Sequence, residues 1–257
     1  MSAVFTLDNL TFSVPERVLL DGINFDLPAG QVTGLVGHNG SGKSTLIKIL
    51  ARQIQPTGGT VSFEGRNLGH WQTRAFARRL AYLPQHLPAA EGLLAEELVA
   101  LGRYPWHGVL GRAGQADRDA VAGALTACGL TDLRQRQVDT LSGGEAQRVW
   151  LGMMVAQDAA CLLLDEPISA LDIAHQIEVL TLVRKLSRDS ARSVVVVLHD
   201  LNMAARFCDH IVALRRGQVA FSGTPGDMMT PEVLQCITGT DMQVLERAGG
   251  LPVAIPE

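Results

Sequence analysis

The feature that most constrains this chain is the octapeptide GHNGSGKS at residues 37–44. It fits the phosphate-loop pattern G-x-x-x-x-G-K-[ST] at every fixed position. Glycine has no Cβ, so backbone N–H groups can approach phosphate oxygens closely, while Lys43 can reach the β- and γ-phosphates and Ser44 can ligate Mg²⁺. The alternative is a chance glycine loop. The strand predicted before the loop (Gln31 to Val36) and the helix predicted after it (Lys43 to Ala51) favour the functional reading.

Two acids follow a second apolar run. Cys161-Leu162-Leu163-Leu164 predicts a strand that is buried on both faces, and Asp165 and Glu166 come directly after it. Taken alone, this is equally well a strand end capped by solvated acids. Beside a phosphate loop it predicts Asp165 as the acid that serves Mg²⁺, with Glu166 in reach of an attacking water.

The pentapeptide LSGGE at residues 141–145 precedes that strand. Ser142 is a good N-cap, and Gly143 and Gly144 leave the first N–H groups of the following helix uncovered. A helix N-terminus with free N–H groups attracts anions, so the sequence predicts a second anion site.

LSGGE resembles the signature of ATP-binding cassette (ABC) proteins. Four further features stand in the family's order: Phe12 at the adenine-stacking position, Gln85 of the Q-loop, the D-loop ending in Asp172, and the switch histidine His199. The resemblance covers nearly the whole chain.

The resemblance implies an α/β fold. Its core is that of a P-loop NTPase (RecA-like), with an antiparallel β subdomain and an inserted α-helical subdomain. We expect one nucleotide-binding domain over residues 1–257. Within it, residues 1–90 and 159–230 would form the ATP-binding core with the β subdomain, 91–158 the helical signature subdomain, and 231–257 a C-terminal extension.

The resemblance also implies ATP and Mg²⁺ as the ligands, with two copies of the chain forming composite sites. The expected nucleotide contacts are Phe12, Gly37, His38, Asn39, Gly40, Ser41, Gly42, Lys43, Ser44, Thr45, Ser142, Gly143, Gly144 and Asp172. The expected catalytic residues are Glu166, His199 and Gln85. The expected metal ligands are Ser44, Gln85 and Asp165.

Within the family, the chain is most similar to ATPases of ferric-siderophore importers, above all the ferric-hydroxamate type. The stretches that carry this likeness lie at residues 37–40, 81–85, 102–108 and 169–176. The last two, together with residues 198–204, also recur in haem and cobalamin importers. Such importers pair two ATPases with a membrane permease and an extracytoplasmic binding protein. The resemblance therefore implies a peripheral subunit on the cytoplasmic face of a bacterial membrane.

Composition limits the alternatives. The net charge is −4, which does not favour nucleic-acid binding, and no apolar run approaches the length of about 20 residues that a spanning helix needs. A soluble ABC ATPase of DNA repair or translation, a catalytically dead regulatory cassette and an exporter remain weaker hypotheses. The four scattered cysteines predict reduced packing residues.

Shorter segments of the sequence predict further local features. The segments Val4 to Leu7 and Leu10 to Val14 predict two separate strands, and 211–214 with 219–221 a hairpin. Thr230-Pro231-Glu232 predicts a helix start, with Thr230 as the cap and proline in the first turn. Tyr104 and Trp106 either form an aromatic surface for the permease or pack inside the helical subdomain. Ile168 stands where the family usually has Thr. Lone histidines outside the motifs predict surface or packing roles, and they are His70, His86, His107, His175 and His210.

Overall fold

The structure is a computed structural model that describes residues 2–108, 111–247 and 250–257. Its strands are β1 (Ala3–Val14), β2 (Arg17–Pro28), β3 (Val32–Val36), β4 (Gly58–Phe63), β5 (Arg66–Asn67), β6 (Leu80–Leu83), β7 (Cys161–Leu164), β8 (Ser193–Val197), β9 (His210–Arg215), β10 (Gln218–Gly223), β11 (Met242–Leu245) and β12 (Val253–Pro256). Its helices are α1 (Lys43–Leu50), α2 (Thr73–Arg79), α3 (Ala95–Leu101), α4 (Tyr104–His107), α5 (Gln115–Ala127), α6 (Gly143–Gln157), α7 (Ile173–Ser190), α8 (Leu201–Phe207), α9 (Pro225–Met228) and α10 (Pro231–Thr238).

The chain divides into two compact units. The first comprises Met1–Trp71 with Leu186–Glu257, and the second Gln72–Lys185. The helices α3 to α6, predicted as a helical insertion, lie in the second unit together with β6 and β7. The subdomain boundaries expected from the sequence stay a prediction.

The first unit contains an antiparallel sheet in the order β2-β1-β4-β5. Its core includes the fully buried Phe5 and Phe63, whose ring centroids lie 4.8 Å apart. The same unit contains the four neighbouring strands β10-β9-β3-β8, in which β3 runs parallel to both β8 and β9. All five residues of β3 are buried, as expected for a central parallel strand.

The prediction of two strands before residue 15 was wrong, because β1 is continuous from Ala3 to Val14. Asn9 has a left-handed φ of 47°, and the pairing register with β2 shifts between Leu7 and Leu10. The Asn24 side chain accepts a hydrogen bond from the Asn9 N–H at 2.7 Å. A bulge thus absorbs the break in alternation that suggested two strands.

Other local predictions are confirmed. Strands β9 and β10 form the expected hairpin around Arg215 to Gln218. Thr230 caps α10 by accepting a hydrogen bond from the Val233 N–H, with Pro231 in the first turn. The prediction of packing cysteines is confirmed for Cys128, Cys161 and Cys208, which are buried, and was wrong for Cys236, which is exposed.

Candidate functional site

In the first unit, the phosphate loop leaves the carboxyl end of β3 and leads directly into α1. Gly37 has a φ of 137°, and a Cβ at this position would overlap the carbonyl oxygen of Leu214. Only glycine can occupy this turn, so the loop's first residue is fixed by β9 as well as by phosphate chemistry. Asn39 and Gly40 lie exposed beyond it.

Lys43 is the first residue of α1 and is only 4% exposed. Its Nζ donates to the carbonyl oxygens of Gly37 at 2.8 Å and His38 at 2.9 Å. The ammonium is therefore folded back over the loop, at the mouth of the cradle that the backbone forms. Ser44 and Thr45 follow in the same first turn and are half-buried.

The turn between β9 and β10 is hydrogen-bonded to the phosphate loop. The Gly217 N–H donates to the Ser41 carbonyl at 3.0 Å, and the Asp21 N–H donates to the Gly217 carbonyl at 2.8 Å. Ser41 itself is buried, and its Oγ has no hydrogen-bond partner within the described part of the chain. A buried hydroxyl of this kind needs a partner. Together with α1, whose N-cap Gly42 offers no side-chain cap, it fits a bound phosphate.

Phe12 is half-buried and lies opposite Leu20 in the β1–β2 register. Leu20 contacts the end of the phosphate loop, because one of its methyl groups lies 2.7 Å from the position that a Cβ of Gly42 would take. Phe12, on the neighbouring strand β1, is therefore one strand away from the loop. The exposed Arg17 also lies here: its terminal nitrogen is 3.8 Å from the Cβ position of Gly40. Sequence reasoning missed this cation, which belongs to no motif.

His199 follows β8, whose extension pairs with β3 through a 3.1 Å hydrogen bond from the Leu198 N–H to the Leu35 carbonyl. The register places His199 at the same sheet edge as Gly37. Its side chain is exposed there.

In the second unit, β6 and β7 run parallel, and the Asp165 N–H donates to the Leu83 carbonyl at 2.9 Å. Asp165 is 1% exposed. The Tyr82 hydroxyl hydrogen-bonds to it, and burial, the Asp165 charge and this bond together raise the pKa of Tyr82 to about 12. Tyr82 thus holds the acid that the sequence assigned to Mg²⁺, a contact that sequence reasoning missed.

Glu166 and Gln85 are brought together. The Gln85 Nε2 donates to the Glu166 carboxylate at 2.8 Å. Glu166 has a left-handed φ of 51°, unusual for a side chain of this size. Backbone conformations of this kind cost about 1–3 kcal/mol and cluster at functional sites. Next to Glu166, the Ile168 side chain is buried, which gives an apolar residue at this position a packing role.

The signature residues form the N-terminus of α6. Ser142 is the N-cap, and Glu145 completes a capping box: the Glu145 carboxylate accepts from the Ser142 N–H at 2.9 Å and from its hydroxyl at 2.8 Å. These bonds hold the pKa of Glu145 below its usual range. The predicted cap is confirmed, and Gly143 and Gly144 occupy the first turn.

His175 links this helix to the D-loop residue. Its Nδ1 lies 2.8 Å from an Asp172 carboxylate oxygen, and its N–H donates to the other at 3.0 Å. These bonds hold the pKa of Asp172 below its usual range. The His175 ring lies so close over Gly144 that a Cβ there would overlap it. The histidine is thus a packing residue, as predicted, but its contacts are with two motifs.

The second unit contains a cleft of about 360 Å³ that is lined by residues of several of these motifs. Gln85, Gly143, Glu166 and Leu171 are among the residues that line it. Four motifs that are distant in sequence therefore open onto one space.

The donor chemistry fits magnesium. Mg²⁺ prefers carboxylate and hydroxyl oxygens and commonly takes few protein ligands beside phosphate oxygens. The Ser44 hydroxyl and the Asp165 carboxylate are oxygen donors of this kind. Within residues 2–108, 111–247 and 250–257, no group of three or more His, Cys, Asp or Glu could hold a metal ion.

The two aromatic residues after α3 differ in environment, so the packing prediction holds for only one of them. The Trp106 ring lies between the guanidinium groups of Arg78 and Arg103, 4.9 and 4.8 Å from its centroid. Its Nε1 donates to the Gln157 carbonyl at 2.8 Å, so Trp106 packs inside the unit. Tyr104 is 52% exposed and remains on the surface.

Among the described residues, no helix is both long and apolar enough to span a membrane.

Comparison with known proteins gives consistent results. The family model described as ABC transporter matches residues 20–169. The Probable siderophore transport system ATP-binding protein YusV of Bacillus subtilis (strain 168) is 41% identical over 100% of this chain and 93% of its own. The Iron(3+)-hydroxamate import ATP-binding protein FhuC of the same organism is 38% identical over 93% and 88%. The Hemin import ATP-binding protein HmuV of Nocardia farcinica is 43% identical over 91% and 80%.

Two solved structures are similar in fold. One is a transporter described as of the metal-chelate ABC type, in an inward-facing conformation. It aligns with a TM-score of 0.86 at 25% identity, over 100% of this chain and 98% of that one. The other is the dimeric post-hydrolysis state of the ATP-binding cassette MJ0796 bound to ADP and Pi, with a TM-score of 0.74 at 26% identity over 86% and 98%.

Proposed function

The chain belongs to the ABC transporter family as an ATP-hydrolysing subunit, and from this premise we propose that it powers the import of a ferric siderophore of the hydroxamate type. The full-length similarity to a siderophore-system ATP-binding protein carries the proposal, and the relative named for iron(3+)-hydroxamate import supports the cargo class. ABC ATPases form dimers and work with membrane permeases in importers. We propose two copies of this chain on the cytoplasmic face of a bacterial membrane, with a permease and an extracytoplasmic binding protein.

At the proposed site, the backbone of residues 37–42 and the Lys43 ammonium bind the triphosphate, and Phe12 stacks on adenine. Ser44, Asp165 and Gln85 would hold Mg²⁺, which supplies charge neutralisation at the β- and γ-phosphates. Phosphoryl transfer depends mostly on positioning and charge stabilisation, so the catalytic work falls on side chains already fixed by the fold.

Glu166 orients and polarises the attacking water, and its hydrogen bond to Gln85 holds the carboxylate in place. His199 contacts the γ-phosphate or that water. Ser142, Gly143 and Gly144 of a second copy complete the site through the N-terminus of α6, and Asp172 couples the two sites. Loss of the γ-phosphate removes the shared ligand and allows the dimer to open.

The role of Glu166 is tested by Glu166→Gln. We expect ATP binding to persist while turnover falls at least about 100-fold, because the amide cannot accept a proton. Glu91→Gln is the matched control, an exposed acid of the same unit. Turnover at the wild-type rate in Glu166→Gln would remove Glu166 from the role of base.

Haem import is the second candidate, because the hemin relative is 43% identical. Cobalamin import is a third, carried only by the resemblance of sequence stretches. The ATPase does not need to contact the cargo, so the test requires the complete importer. Reconstituted in proteoliposomes with its permease and binding protein, it should increase ATP hydrolysis with ferric hydroxamates. A response to haemin or cobalamin alone contradicts the hydroxamate assignment.

A further inference from the structure

A two-stranded ribbon closes the first unit near the C-terminus. Strands β11 and β12 pair antiparallel from Met242 opposite Pro256 to Leu245 opposite Val253. Ala254, in the middle of β12, is 4% exposed. Ala254 is the one buried residue of these two strands, so the contacts of Ala254 show how the ribbon is attached to the rest of the unit.

The anchor is the side chain of Asn202. Its Nδ2 donates to the Ala254 carbonyl at 3.0 Å, and its Oδ1 accepts from the Ala254 N–H at 2.8 Å. The side-chain amide thus pairs with both backbone groups of one residue, as a neighbouring strand would. Asn has the required donor and acceptor on one rigid plane, and among side chains of this length only Asn does.

Asn202 belongs to the first turn of α8, which directly follows the switch histidine. The Asp200 carboxylate caps that turn by accepting hydrogen bonds from the Asn202 N–H at 2.8 Å and the Met203 N–H at 3.0 Å. The side chain of Asn202 therefore binds the ribbon, while its backbone N–H binds the Asp200 carboxylate that caps α8. Only Asp200 and Leu201 separate it from His199.

We propose that Asn202 is a positioning residue: the C-terminal ribbon holds the start of α8 through this amide and thereby fixes His199 at the sheet edge beside Gly37. The inference rests on the role proposed above for His199. Because β8 fixes the chain before His199 and the Asn202–Ala254 pair fixes it after, the histidine is held from both sides. Loss of the pair removes the tie between α8 and the ribbon, so that only the Asp200 cap and the packing of α8 hold the helix side.

The test measures ATPase kinetics of the full-length chain, with Asn202→Ala as the main variant. Removal of two hydrogen bonds that orient a catalytic group should lower kcat about three- to tenfold and change KM for ATP by less than about twofold. Asn202→Asp keeps the acceptor and loses the donor, so it should give an intermediate kcat and serves if Asn202→Ala does not fold. Gln243→Ala is the control: it alters an exposed residue of the same ribbon and should leave kcat unchanged.

A double-mutant comparison separates positioning from general structural damage. In a His199→Ala background, Asn202→Ala should cause almost no further loss of kcat, since the group it positions is gone. An equal loss in both backgrounds, or a wild-type kcat for Asn202→Ala, overturns the inference alone. A wild-type kcat for His199→Ala overturns the proposed role of His199 and the inference with it.

Discussion

We expect the hydroxyl of Tyr82 to contribute to folding stability and to kcat, because it hydrogen-bonds to the buried Asp165. A rise in pKa from 10 to about 12 corresponds to at most about 2.7 kcal/mol in favour of the neutral hydroxyl. Tyr82 is only half-buried, so solvent screening reduces this to about 1–1.5 kcal/mol. The folded-state pKa is the raised one, so this stabilisation is complete below pH 10 and is lost as pH rises from 10 to about 12.

Tyr82→Phe removes the hydrogen bond to the buried Asp165 carboxylate, so it should lower the free energy of unfolding at pH 8 by about 1–2 kcal/mol, measured by urea denaturation. Its stability should also lack the wild-type decline between pH 10 and 12. Because the phenol orients the carboxylate assigned to Mg²⁺, kcat for Mg-ATP should fall about tenfold.

The chain has two tyrosines, which permits a direct assay. In Tyr104→Phe, absorbance at 295 nm after rapid pH jumps reports Tyr82 alone, and the transition should centre near pH 12. Tyr104→Phe is also the control for stability, since its ring is 52% exposed. A Tyr82 transition near pH 10, or an unfolding free energy unchanged in Tyr82→Phe, would refute the reasoning.

Three further predictions concern Gly217 and Gly144, where an added Cβ would collide with a neighbouring residue, and the side chain of Trp106. Gly217→Ala places a Cβ 2.6 Å from the Leu19 carbonyl oxygen at a φ of 80° and should cost about 2–4 kcal/mol of unfolding free energy and weaken ATP binding, measured by denaturation and nucleotide titration. Gly144→Ala drives the His175 ring aside and should lower kcat about 10- to 100-fold while the fold survives, measured by ATPase assay and circular dichroism. Trp106→Phe loses the indole hydrogen bond and part of its cation–π contacts, and should cost about 1–2 kcal/mol in urea denaturation with basal ATPase retained.

The two glycine predictions each have a matched control. Gly65→Ala imposes the same backbone strain at a φ of 73° with no atom within 4 Å, so it should keep ATP affinity. Gly123→Ala adds a methyl group to a helical glycine with open space around it and should keep kcat. A Gly217→Ala variant no weaker in ATP binding than Gly65→Ala, a Gly144→Ala variant at wild-type kcat, or Trp106→Phe at wild-type stability would contradict the respective argument.

Sequence reasoning was strongest where one short segment contains all of the required chemistry. The cradle at residues 37–44 needs its glycines and lysine in fixed spacing, and the cap at Ser142 needs a hydroxyl just before a helix, so both could be read from neighbouring residues. The apolar run before Asp165 likewise predicted the buried strand β7, because four consecutive apolar residues suffice to indicate burial on both faces. Tyr104 and Trp106 could not be separated, since both are aromatic residues beside a polar turn and their packing partners lie elsewhere in the chain.

The sequence by itself determined the family, the glycine loop after β3 and the acids at the end of β7, because backbone geometry and helix capping depend on residues a few positions apart. Only the tertiary structure decided that Tyr82 holds Asp165, that His175 joins Gly144 to the D-loop, and that Asn202 anchors Ala254. Tyrosine, histidine and asparagine occur at many positions without such roles. Their partners are brought within hydrogen-bonding distance by parallel strand order and helix packing, which no local pattern of residues encodes.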